Sequence, residues 1–399
     1  MNKEKLIIKN FGPIKEIDLD LARFTVLIGE QATGKSTVAK VLAVCRNLSY
    51  ITYTDMATSP FYEGLRDWGL LNFWQEDTFI FYECKHYSLS PLLVTMFPVK
   101  PTFNELGISN PRIPLFNVQL KPISPEFKNL LLELEKIKLE NSDQYGGWAA
   151  PTSFFKNDVA RVLDIPYYFP AERGLQSIFT LGPGSIRNMD SFLLNYFSEV
   201  DMILKNYSIE TIIKPLGINY KNIDGIGYVG KNAERGFSNI SNAASGYQST
   251  IPIVLVTKYF NEIRNYNEVQ KKEKTFIIEE PELNLYPIAQ YELMKYLIGN
   301  ANVYKNHLLI ATHSPYILAS INNLLLAGKY GGVQINEVID KKYWIDIDDV
   351  SAYMLLPNGE CEDILDKDAG QIKAEKIDSA SVMIAEQYEK IMDLAFSNI

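Results

Sequence analysis

Apolar positions along the chain gather into short dense runs divided by polar turns, and the period of the pattern changes from one segment to the next. Residues 5–9 run apolar or alternate, Asn10-Phe11-Gly12-Pro13 interrupts them, and Ile17-Asp18-Leu19-Asp20-Leu21 alternates with period two, predicting two strands joined by a turn. Residues 24–28 are apolar almost throughout, as expected of a strand buried on both faces, and run straight into a glycine-bearing loop and a helix over about 35–46. From about 51 to 164 the character shifts to aromatics such as Tyr53, Phe61, Trp68 and Trp74, with scattered prolines and one amphipathic stretch near 125–139. That segment predicts an inserted lobe whose single helix is too short for a long coiled coil. A strand at 165–169 and a helix near 186–205 resume the core, and three later apolar runs, 238–259, 275–287 and 308–326, each abut a polar cluster. The last predicted elements are a strand pair, 351–356 and 360–365, around Pro357-Asn358-Gly359, and a helix over 378–395 with Ile384, Tyr388, Ile391 and Met392 on its apolar face.

Composition narrows the class. With 399 residues, 47% hydrophobic and 22% charged, the chain is that of a folded globular protein. No stretch approaches the roughly 20 apolar residues needed to span a bilayer, and the start lacks an apolar signal core, so a cytoplasmic location without membrane contact is expected. The three cysteines, Cys45, Cys84 and Cys361, are dispersed and odd in number, which fits a reducing compartment. Cys84-Lys85-His86 has no second pair to complete a four-ligand metal site. A net charge of −9 and a pI near 5.1 give the molecule as a whole no attraction to a phosphate backbone, although a local basic groove is not thereby excluded.

Three polar clusters bear the candidate chemistry. Gly29-Glu30-Gln31-Ala32-Thr33-Gly34-Lys35-Ser36 places glycines where a backbone must turn sharply and let its N–H groups surround phosphates. Lys35 would bring a point charge to the outer phosphates of ATP, the following helix its N-terminal dipole, and Ser36 a hydroxyl for Mg2+. Thr275-Phe276-Ile277-Ile278-Glu279-Glu280-Pro281-Glu282 is an apolar strand ending in adjacent acids, which belong at the exposed end of a buried strand. Glu279 is then a candidate partner of the metal and Glu280 a candidate base or polariser for an attacking water. Leu308-Leu309-Ile310-Ala311-Thr312-His313-Ser314-Pro315 is a further buried strand, and His313 at its end is a candidate γ-phosphate contact.

These motifs, in this order, resemble the ABC-type ATPases of the RecF, SMC, Rad50 and OLD group. The likeness rests on Leu6-Ile7-Ile8-Lys9-Asn10-Phe11-Gly12-Pro13-Ile14, Gly34-Lys35-Ser36-Thr37, Ile277-Ile278-Glu279-Glu280-Pro281-Glu282-Leu283 and Ala311-Thr312-His313-Ser314-Pro315. It implies an α/β fold: a P-loop ATPase head formed by residues 1–50 and 165–399, with 51–164 inserted. It also implies that Thr37 joins the nucleotide site and that Ala244-Ser245-Gly246-Tyr247-Gln248 is the signature segment. Ser245, Gly246 and Gln248 would then meet ATP held by a second copy in a homodimer. Tyr247 stands where the family usually has a second glycine and Glu279 where it usually has aspartate, departures that imply slow hydrolysis. Gln75, Gln119 and Gln176 are all open as the family's metal-sensing glutamine, and Arg173, in Tyr168-Phe169-Pro170-Ala171-Glu172-Arg173-Gly174, is open between nucleotide sensing, the protomer interface and an internal carboxylate pair.

Heads of this kind without long coiled coils resemble the ATPase subunits of bacterial anti-phage systems of the Septu and PARIS types, which implies a separately encoded effector as partner. A DNA-clamping repair or chromosome-maintenance ATPase is the second expectation. A self-contained nuclease of the OLD type is the third, using Asp346, Asp348 and Asp349; the 84 residues after Pro315 are few for that domain, and the three acids read better as a solvated turn.

Overall fold

The computed structural model describes residues 4–47, 60–75, 77–86, 92–99, 115–122, 166–175, 191–206, 210–231, 236–263, 273–373 and 386–391. Strands β1 (Glu4–Phe11) and β2 (Ile14–Leu21) pair as an antiparallel hairpin, and β3 (Phe24–Gly29) leads through the glycine loop into helix α1 (Lys35–Arg46). Helix α2 (Pro60–Asp67) precedes β4 (Phe79–His86), β5 (Leu92–Val99) and β6 (Leu115–Pro122). Next come β7 (Tyr167–Phe169), α3 (Ser191–Asn206), and the small antiparallel sheet β8 (Glu210–Ile213), β9 (Ile218–Ile223), β10 (Ile226–Gly230) and β11 (Ser238–Asn239). Helix α4 (Ser245–Lys258), β12 (Thr275–Glu279), α5 (Pro287–Tyr304), β13 (His307–Thr312), α6 (Pro315–Tyr330) and the short α7 (Val333–Val338) follow. The remaining described strands are β14 (Val350–Leu355), β15 (Cys361–Asp363), β16 (Leu365–Asp366) and β17 (Gln371–Ile372).

The central sheet has the order β15-β14-β3-β13-β12-β7, in which β14, β3, β13, β12 and β7 run parallel and β15 antiparallel at the edge. Its strands are apolar on both faces because both faces are covered. Phe24, Val26 and Ile28 of β3, Phe276 and Ile278 of β12, and Leu308 and Ile310 of β13 enter one core, with α4, α5 and α6. The alternate residues Leu27, Ile277, Leu309 and Ala311 face the other core, under α1 and the β1–β2 hairpin. Parallel alignment brings the carboxyl ends of β3, β13, β12 and β7 to one rim, where open α/β sheets gather their ligand groups.

One expectation changes. Part of the segment expected as a lobe contributes to the head, because β4 pairs antiparallel with β1, extending it into a five-stranded sheet of order β2-β1-β4-β5-β6. Leu65, Leu70, Ile80 and Tyr82 are buried in the α1-side core, so a lobe boundary at 51 cuts through a continuous hydrophobic cluster. The helix after the signature segment spans Ser245–Lys258 and continues as a π-helical turn over Tyr259–Ile263. The helix expected at 125–139 lies outside the described residues. Among the described residues the longest helix, α5, has 18 residues, and none is long and apolar enough to cross a membrane.

Candidate functional site

The glycine loop is shaped by long-range contacts as well as by its own sequence. Gly34 caps α1 in the left-handed region at φ +97, and a Cβ there would lie 2.4 Å from Cδ1 of Ile14 in the β1–β2 turn. A Cβ on Gly29 would lie 2.4 Å from the Leu355 carbonyl at the end of β14. The Asn10-Phe11-Gly12-Pro13-Ile14 turn thus backs the loop, which gives that opening motif a physical purpose. Lys35 is buried, and its Nζ donates to the carbonyls of Gly29 at 2.8 Å and Glu30 at 2.6 Å. Burial pulls its pKa down to about 8 against the pull of Glu280, Glu282, Glu279 and Glu30. Ser36 is exposed at the first turn of α1 and Thr37 is buried beneath it.

One residue beyond β12, Glu280 adopts a left-handed backbone at φ +43, uncommon for a residue with a side chain. Its N–H donates to Ala311 O at 2.7 Å, and its Oε1 lies 3.0 Å from Nε2 of His313. The hydrogen bond to His313 holds the Glu280 carboxyl below its usual range, with burial opposing and the charges of His313, Arg173 and Lys35 adding. Nδ1 of His313 lies 3.0 Å from the Gly29 carbonyl, so the imidazole joins the phosphate loop to the acidic strand end. Both ring nitrogens face acceptors, and a neutral ring can donate to only one at a time.

Glu282 organises the same corner: its Oε1 accepts from Thr312 Oγ1 and from the His313 N–H, both at 2.7 Å. Nothing in the sequence distinguishes it from a surface glutamate beyond its place three residues after Glu279. Glu279 is 2% exposed; Oε2 accepts from the Ala171 N–H at 3.2 Å, and Oε1 is buried without a well-formed hydrogen bond, the Tyr168 hydroxyl lying beside the carboxylate. An orphaned carboxylate oxygen and an exposed serine hydroxyl are hard donors that suit magnesium, which takes few ligands from protein and the rest from phosphate and water. Among the described residues no cluster of three His, Cys, Asp or Glu side chains forms an all-protein metal cage.

Ser245 opens α4 beyond the Ala244 cap and is exposed. Gly246 is required by its own chain, since a Cβ would lie 2.7 Å from the Asn284 carbonyl. Tyr247 packs against the main core instead of filling the space in front of the segment. Gln248, expected at the nucleotide, instead donates from Nε2 to the carbonyls of Ser241 and Ala243 at 3.1 and 2.9 Å, bracing the turn that precedes the helix. Arg173 is fully buried and, among the described residues, makes no direct ion pair with a carboxylate; it donates to four main-chain carbonyls. Of the candidate metal-sensing glutamines, Gln75 is exposed in the loop leading into β4, Gln119 belongs to β6, and Gln176 lies outside the described residues. Asp349 pairs with Arg23 at 3.2 Å and Asp346 accepts from the Asp348 N–H at 3.1 Å, so these acids serve an ion pair and a backbone turn.

Residues 1–92 and 185–318 match the family model of an AAA ATPase domain. Similar solved structures include an SMC head domain from Thermotoga maritima, with TM-score 0.40 and 10% identity over 92% of this chain and 99% of that one. Another is the Smc head domain with an extended coiled coil bound to the C-terminal domain of ScpA, derived from Pyrococcus furiosus, with TM-score 0.40 and 9% identity over 98% and 100%. No curated protein matches the chain.

Proposed function

Because the chain belongs to the AAA ATPase domain family, matched over more than half of its length, we propose that its ATPase site drives a homodimer switch. The observation that carries this reading is the His313 imidazole spanning the Gly29 carbonyl and the Glu280 carboxylate, which sets the acidic strand end against the phosphate loop. ATP enters on the backbone of residues 29–36. Lys35 leaves the two loop carbonyls for the outer phosphates, and the α1 dipole and Thr37 complete the grip. Ser36 and Glu279 would hold magnesium, which when bound neutralises charge on the phosphates. Glu280 orients and polarises the attacking water; its lowered pKa keeps it ionised at neutral pH. His313 turns from the Gly29 carbonyl toward the γ-phosphate. Ser245 and Gly246, at the start of α4, close the site from a second copy, so that ATP binding and dimer closure are one event.

The test is direct. Glu280→Gln should bind ATP, hydrolyse it only at a small residual rate and accumulate as a dimer in ATP by light scattering, whereas Lys35→Ala should neither bind nor dimerise. Hydrolysis by Glu280→Gln at the parent rate removes Glu280 from the assignment.

The biological role we propose is control of a separately encoded effector in bacterial anti-phage defence, supported by the order of motifs shared with such ATPase subunits. Co-expression with the adjacent gene should lower phage plating, and Glu280→Gln should abolish the protection. DNA binding by the purified chain that strengthens with ATP and weakens with salt would favour the clamp instead.

A further inference from the structure

A guanidinium with no exposed surface and, among the described residues, no carboxylate in direct ion-pair contact needs an explanation, because burying a cation is costly. Arg173 lies in the turn after β7, Ala171–Leu175. Its Nε donates to Ser249 O at 3.0 Å, its Nη1 to Pro170 O at 2.9 Å and Glu279 O at 2.6 Å, and its Nη2 to Glu280 O. Three separate segments therefore meet on one planar group: the β7 turn, the end of β12 and the second turn of α4.

One of those acceptors is unusual in itself, and another lies beside a break in the hydrogen-bond ladder of its helix. Glu280 is in the left-handed region, where a residue with a side chain persists only when its surroundings hold it. Its N–H is fixed by Ala311 and its carboxylate by His313, and its carbonyl accepts both from the Leu283 N–H at 2.9 Å and from Arg173, the one side chain that holds it. Ser249 lies three residues before Pro252, an internal proline of α4 that has no N–H to return to Gln248 O. The carbonyl released by the proline is Gln248 O, the neighbour of the Ser249 carbonyl that Arg173 meets. Nearby, Ser249 Oγ donates to Leu283 O at 2.8 Å and Gly246 abuts Asn284 O, so the start of α4 is seated against the residues that follow Glu280.

We propose that Arg173 is a positioning residue that holds Glu280 in its left-handed backbone conformation and makes that conformation depend on the seating of the first turns of α4. The guanidinium is a rigid fork, so displacement of the Ser249 carbonyl is felt at the carbonyls of Glu279 and Glu280. Contact of a phosphate with Ser245 and Gly246 on one protomer is thereby reported to the Glu280 of that same protomer. The inference rests on the reading of Glu280 as the residue that activates water.

The test uses the full chain carrying Arg173→Lys, which keeps the charge but loses the fork, and Arg173→Met. Affinity is read with a fluorescent ATP analogue, and the hydrolysis step by single-turnover kinetics. Arg173→Lys is expected to lower the hydrolysis rate by about 10- to 100-fold, as misplacement of a reacting group does, while leaving the Kd within about threefold. In a Glu280→Gln background it should cause little further loss, because the two changes act on one group. Arg173→Met should go further in the same direction. The proposal is overturned if Arg173→Lys hydrolyses within about twofold of the parent, if it loses ATP affinity along with rate as a purely structural lesion would, or if its effect is the same with and without Glu280. Parental hydrolysis by Glu280→Gln alone overturns the reading of Glu280 and identifies that failure separately.

Discussion

Lys35 has its ammonium between the Gly29 and Glu30 carbonyls and a pKa near 8, so its charge changes just above neutral pH. Phosphates favour the charged form, so ATP binding takes up a proton where the free protein has lost one. The protonated lysine is the binding form, and affinity should hold below pH 8 and fall above it, approaching tenfold per pH unit. Titration of the ATP analogue from pH 7 to 9.5, in two buffers of different ionisation enthalpy, checks both the slope and the proton. Gly246 gives a second prediction. Alanine there would press a Cβ to 2.7 Å from the Asn284 backbone carbonyl, and should lower stability by about 1–3 kcal/mol in chemical denaturation. At this scale the loop glycines, Lys35, the paired acids and His313 are legible from spacing and strand context. The reasons Gly29 and Gly34 must be glycine are not, since they involve Leu355 and Ile14, which only the fold brings near. Arg173 was equally opaque: an arginine that binds main-chain carbonyls leaves no partner residue to look for.

Among the elements, α1 is anchored at its far end by a buried ion pair. Arg46 Nε donates to Glu4 Oε1 at 2.7 Å, its Nη2 donates to Glu4 Oε2, and Tyr82 of β4 donates to the same carboxylate at 2.9 Å. Burial pushes the Glu4 pKa up, but Arg46 and Tyr82 outweigh it and the net direction is down. A depressed carboxyl stabilises the fold above its unfolded value, near 4.5, and that contribution is lost as pH falls further. Arg46→Met should cost about 3–5 kcal/mol at pH 7 by leaving a buried charge unpaired, and Glu4→Gln in the same chain should restore part of it. Denaturant melts of the two single variants and the double variant decide this. The strands β3, β12 and β13 and helix α1 were legible because a strand covered on both faces is apolar throughout and a phosphate loop needs a helix after it. Strand β4 read as part of a lobe because its partner, β1, is distant in sequence and pairing carries no local signature.

For the whole molecule, the carboxyl ends of β3, β13 and β12 place the loop, His313 and Glu280 on one rim. The large side chains of Tyr286, Ile288 and Tyr316, which follow the acidic strand and the histidine in sequence, are 76%, 68% and 53% exposed. In the homodimer proposed above, the closing second copy would cover them. Ile288→Asp should therefore weaken ATP-induced dimerisation by about 1–3 kcal/mol while leaving ATP binding to the monomer unchanged, read by light scattering across protein concentration. The order of motifs along the chain was enough to place them in one site, but not the order of strands in the sheet.

That strand order has a consequence for synthesis. Strand β14 lies beside β3, with Thr25 opposite Ser351 across 326 residues, and its Leu355 carbonyl closes over Gly29. At about 5–20 residues per second, a ribosome needs roughly 15–65 seconds after making the loop to supply the strand that backs it. A nascent chain carries the loop's full sequence long before it has this buttress, so tight retention of nucleotide should begin only once residues beyond 355 have left the exit tunnel.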